Sequence, residues 1–203
     1  MLHFFSKRKL TQFNQAITSG HEDQLVRLLK ALPPETLNQP LINNLLPTEI
    51  AIQAEQAKSL TLLLNAGALS NPTLGTGTSL LHLALKQSNS LALITPLLEQ
   101  GAEVRGYSGE LINMCFTHVA PSQWMLHLNR FSQYGLDINQ PDQAGNTALD
   151  HALRHQDKEL LSFLINSGVN TPEEWPDSLS EELKAYLTRS VADLQIRQMF
   201  LGA

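Results

Sequence analysis

Residues 145–168 read GNTALDHALRHQDKELLSFLINSG. Leu149 and Ala152 place an apolar and a small residue on one side of a short first helix. Leu160, Leu161 and Leu164 recur at helical spacing in a second. Gly168 closes the stretch, where a helix end favours a left-handed residue. Asp150, His151 and His155 lie within six residues of one another, and the two histidines are four apart, a spacing that puts both on one helix face. Two readings follow. The polar residues form a metal or acid/base site, or they serve the packing of a helix pair.

The same frame returns along the chain. GTSLLHLALKQSNSLALITPLLEQG, residues 77–101, sets Leu81, Ala84, Leu97, Leu98 and Gly101 in the corresponding places. PTEIAIQAEQAKSLTLLLNAG puts Ala51 in the small position, 33 residues before Ala84, and closes on Gly67. FNQAITSGHEDQLVRLLKAL supplies Ala16, a break at Gly20 and His21, then Leu25, Leu28 and Leu29. ELINMCFTHVAPSQWMLHLNRFSQYG supplies Cys115 and Gly135, with three or four extra residues between its helices. A period near 33 residues signals stacked helix pairs, each unable to bury its apolar face alone. The units run approximately over residues 9–40, 43–73, 74–105, 106–140 and 141–171.

These residues resemble those of ankyrin repeats. The likeness rests on Asp142, Gly145, Thr147, Ala148, Leu149, Ala152, Leu160, Leu161, Leu164, Gly168 and Asn170. Leu81, His82, Leu83, Ala84, Leu97, Leu98, Gly101, Ala102 and Val104 carry it in the third unit. The Trp/Gly/Tyr pattern of tetratricopeptide arrays is missing, and the Gly-apolar-x-Asn links favour the ankyrin frame. The resemblance implies an all-α solenoid of helix-turn-helix units with short hairpin-like links. The second and fourth units depart from the pattern. Pro96 is expected to kink the third unit's second helix or displace its start, whereas Pro121 fits a first helical turn.

Within that frame Asp150 takes the slot of His82, which the family uses to stiffen a turn. His151 takes the slot of Leu83, an inter-repeat packing position. His155 takes that of Gln87, facing the concave groove. Three separate roles leave no third ligand converging on the histidine pair, so no metal and no cofactor are expected. His118 and His127 flank the long linker of the fourth unit and read as surface and helix-face residues. Cys115 reads as a buried and inert thiol. No phosphate loop or nucleophile motif occurs, so the chain reads as no enzyme.

The resemblance implies partner binding through the concave groove. By frame, Gln53, Lys86, Gln87, Thr117, His118, Arg154 and His155 come from helix ends, and Thr76, Thr78, Tyr107, Gln143 and Asn146 from link tips. A protein partner is expected, for an adaptor, scaffold or inhibitor. Two other readings stay open: a structural or targeting module self-associating through its C-terminal helix, and a histidine-based metalloenzyme.

That helix is expected in residues 172–203, as a cap over the last unit. Ser178 and Glu181 form a capping-box pattern, and Leu179, Leu183, Leu187, Val191, Leu194 and Met199 make one apolar side. The net charge of −5 and the lack of a basic cluster beyond Lys7, Arg8 and Lys9 argue against nucleic acid. No apolar run reaches membrane length, so no membrane partner is expected. A single cysteine excludes an internal disulfide. The N-terminal residues have the wrong order for a secretory signal. A cytoplasmic monomer is the expectation, with a dimer through the C-terminal helix and secretion without a classical signal left open.

Overall fold

The computed structural model describes residues 7–41, 43–73 and 78–201. The described residues form α-helices, 3-10 turns and links, with no strand. The chain divides into two compact units at residues 103 and 104.

The first unit contains α1 (Lys7–Thr18), α2 (Glu22–Ala31), α3 (Pro47–Gln53), α4 (Ala57–Asn65), α5 (Leu80–Leu85) and α6 (Ser90–Glu99). Helices α1, α3 and α5 pack side by side in one row. Behind them α2, α4 and α6 form a second row. The rows meet on Phe13, Ala16, Ile17, Leu25, Ala51, Leu60, Leu63, Leu81, Ala84 and Leu97, all buried. The small residues Ala16, Ala51 and Ala84 let first helices lie close together, as their spacing predicts. Between rows, the Ser59 hydroxyl donates to the Ile17 carbonyl at 3.1 Å.

The second unit repeats this plan with α7 (Ser108–His118), α8 (Trp124–Ser132), α9 (Ala148–His155) and α10 (Lys158–Asn166). It adds α11 (Glu181–Leu201), packed on α10. Cys115 and Ala152 fill the small positions and are fully buried. Burial pushes the Cys115 thiol well above its ordinary range, so it stays protonated.

Three of the first helices are started by a side chain in the third helical position. Asp150 accepts from the Thr147 amide at 2.8 Å and from its hydroxyl at 2.7 Å. Glu49 accepts from the Leu46 amide at 2.8 Å, and His82 Nδ1 lies 2.7 Å from the Ser79 hydroxyl. In the fourth repeat this slot holds Asn113, which is exposed. There the helix starts earlier than the frame predicts, at Ser108. That extension brings the Pro141 carbonyl onto Gly109, where a Cβ would sit 2.1 Å from the oxygen. Only glycine admits this approach.

The closing glycines 67, 101, 135 and 168 have φ between 77° and 103°, the left-handed region expected for them. Successive links are joined by asparagine clamps rather than by strand pairing. Asn38 donates to the Gly67 carbonyl (3.1 Å) and accepts from the Leu69 amide (2.8 Å). Asn71 does the same to Gly101 (2.8 Å) and Glu103 (2.7 Å). Asn139 does so to Gly168 (3.2 Å) and Asn170 (2.7 Å). Arg105 stands in the remaining slot, and there the Asp137 amide donates to the Ser108 hydroxyl instead, at 3.0 Å.

Four expectations need correction. Pro96 does not displace the start of its helix; α6 runs from Ser90 through it, with Pro96 buried in the interior. The last helix begins at Glu181, and Ser180, not Ser178, caps it by accepting from the Leu183 amide at 3.2 Å. Its apolar side is shorter than the pattern suggests. Leu179, Leu183 and Leu187 are buried, Val191 and Leu194 half-buried, and Met199 is 76% exposed. His127 is fully buried rather than on a surface.

Candidate partner-binding face

On the first unit, Gln53 ends α3 and Lys86 follows α5; both are exposed. Gln87 is half-buried and turns its amide back to the Leu83 carbonyl at 3.2 Å. Thr78 is half-buried in the link before α5, while Thr76 lies outside the described residues.

On the second unit, Thr117 and His118 end α7, and Arg154 and His155 end α9. All four are exposed. Thr117 returns its hydroxyl to the Asn113 carbonyl at 2.8 Å, and Arg154 donates to the Asn146 side-chain oxygen. Gln143 donates to Glu110 at 3.0 Å. Tyr107 is at the edge of a shallow notch of about 210 Å³, lined also by Gly106, Gly109, Glu110, Pro141 and Gln143.

The histidines of the opening stretch share one ring. Phe116, half-buried at the end of α7, stacks on His151 with centroids 5.0 Å apart and on His155 at 6.3 Å. Trp124 packs tilted against Phe116 at 4.9 Å and against His155 at 4.5 Å. Its indole N–H donates to the Val119 carbonyl at 2.9 Å. His151 and His155 thus do not act separately, as the repeat frame suggests; the i, i+4 spacing sets both against α7. The sequence carried this signal in that spacing together with Phe116, the large residue in the slot of Leu85.

Asp142 ties the link to this cluster. Its carboxylate accepts from the Ala144 and Asn146 amides, both at 2.9 Å, and from His151 Nε2 at 3.1 Å. Burial pushes its pKa up, but the Asn146 amide, His151 and Ala144 outweigh that and hold it below the usual carboxylate value. His127 is pulled down by burial, opposed by its contact with the Gln123 carbonyl at 2.9 Å. Asp150 is committed to Thr147 and His151 to Asp142. Among the described residues no group of three or more His, Cys, Asp or Glu side chains is arranged to hold a metal ion. No helix among them is long and apolar enough to cross a membrane.

Residues 123–165, covering α8 through most of α10, match the family described as ankyrin repeats (many copies). The fold is the ankyrin-repeat fold. The ankyrin stack extends beyond the matched stretch in the fold itself. The crystal structure of the ankyrin repeat domain of Bcl-3, a unique member of the IkappaB protein family, superposes with a TM-score of 0.64. It covers 90% of this chain and 85% of that one, at 20% identity. No curated protein matches the chain. The ankyrin fold generally mediates protein–protein interaction, and proteins built from it are typically non-enzymatic.

Proposed function

We propose that this chain is a non-enzymatic adaptor, scaffold or inhibitor that binds a protein partner through the ends of its first helices and its link tips. One observation carries the reading. The end of α9 presents Arg154 and His155 side by side and exposed, Arg154 held by the Asn146 side chain and His155 packed on Trp124 and Phe116. Arginine and aromatic groups on a rigid support are the residue types that dominate binding energy at protein interfaces. Lys86, Thr117 and His118 occupy the matching ends of α5 and α7. Their chemistry is that of contact rather than catalysis. A cytoplasmic location fits the single, buried cysteine.

The test is affinity capture from the native cell with the whole chain and with Arg154→Glu. A partner enriched by the native chain and reduced about tenfold or more by the variant, a loss in the range of an interface hot spot, supports the reading. Equal capture by both, with α9 intact by circular dichroism, refutes it for this face.

A further inference from the structure

The last helix has a second face that the repeat stack does not use. Leu183 and Leu187 are buried, and Arg197 donates to the Asn166 side chain of α10 at 2.7 Å. At about 100° per residue, a separate strip runs some 120° around the helix. It consists of Tyr186, Arg189, Asp193, Ile196 and Phe200, alternately three and four residues apart, the spacing of a helix–helix seam. All five are exposed, Phe200 to 85% and Ile196 to 47%. Arg189 and Asp193 form no ion pair among the described residues.

We propose that this seam docks a second copy of the chain, antiparallel, about a twofold axis at the level of Val191. The order of charges selects that occupant. A twofold contact requires residue i to meet j while j meets i. In this register Arg189 of each copy faces Asp193 of the other, and Tyr186 faces Ile196. A parallel pair would set Arg189 on Arg189 and Asp193 on Asp193, and the like charges would repel. Lys158, 5.9 Å from the Tyr186 ring centre, steadies the edge of the seam. The proposal is independent of partner binding by the first helices, since α11 packs on the other row.

Five side chains from each copy cover on the order of 1,000 Å² in total, the low end of specific interfaces, so the dimer is a weak one. Analytical ultracentrifugation of the full chain from about 5 to 500 µM reads it. The native chain is expected to pass from monomer to dimer over that range. Arg189→Asp alone and Asp193→Arg alone each set like charges opposite each other and weaken the dimer roughly tenfold. The double exchange restores it to within about threefold, because the pairs are re-formed with reversed sign. Ile196→Glu, an exposed change, gives a second reading that does not depend on the charge pair and also weakens association. A native chain monomeric throughout, single exchanges without effect, or a double exchange that fails to recover overturns the proposal.

Discussion

Replacing Gly109 by alanine sets two effects of opposite sign against each other. Gly109 lies in the first turn of α7. Helix propensity alone favours alanine there by up to about 1 kcal/mol. Packing says the reverse. The new Cβ would meet the Pro141 oxygen at 2.1 Å, its carbon at 2.6 Å and the Asp142 nitrogen at 2.9 Å. All three contacts are backbone, so no side chain can swing away. The link would have to retreat by roughly 1.4 Å to reach ordinary contact distances near 3.5 Å. Such a shift also strains the Asp142 carboxylate, which holds two amides and His151. Overpacking of this kind costs on the order of 2–3 kcal/mol, the upper part of the usual range. The net expectation is a loss of about 1–3 kcal/mol after the propensity gain is subtracted. Urea unfolding followed by circular dichroism measures it, with Asn113→Ala as a control on the exposed face of the same helix. The control should be neutral or mildly stabilising. A Gly109→Ala midpoint at or above the native value would refute the argument that the link is seated on α7.

Asn139→Ala removes both bonds of one clamp and should cost about 1–2 kcal/mol at two net hydrogen bonds, read as a lower thermal midpoint. Asp150→Ala removes the cap of α9 and should cost about 1 kcal/mol; an unchanged melt would show that the cap adds nothing. His155→Ala uncovers one side of Trp124, with an expected cost of about 0.5–1 kcal/mol and a red shift in tryptophan emission. Asp142 has its pKa depressed in the folded state. Its stabilising contribution is therefore complete above the unfolded value of about 3.9 and is lost as pH falls through the lower folded value. Asp142→Asn should be less stable than the native chain at neutral pH and show a flatter loss of stability below about pH 4; parallel acid limbs for the two proteins would contradict this.

The repeat was legible because its signals are local and recur. An apolar residue three before a small one, and a glycine at a fixed distance beyond, constrain helix packing and helix ends directly, and Ala16, Ala51, Ala84 and Ala152 are all fully buried. Three-residue caps are partly legible: Asp150 follows Thr147, whose hydroxyl marks a cap, whereas Glu49 follows Leu46, which offers only its backbone amide. Of the ring contacts, the shared face of His151 and His155 is legible in their spacing, but the meeting of Phe116, Trp124 and His155 from three helices is not, since it exists only after folding. The tail misled for a simpler reason. Spacing gives the sides of a helix, but not how far along its length a neighbour reaches, and the full burial of α11 stops at Leu187.

The asparagine clamps have a consequence for how such a chain can change. Each one grips a carbonyl and an amide of the next link, groups that every residue possesses at the carbonyl and all but proline at the amide. The grip is therefore blind to the side chains of the neighbour it holds. A following unit can drift in sequence, or accept a proline in a helix as the third does, and still be held in register by the asparagine before it. Beyond the buried core and the helix starts, side-chain identity is demanded only at the asparagine, the glycine and the small residue, which leaves the exposed positions of each unit open to remodelling for contact.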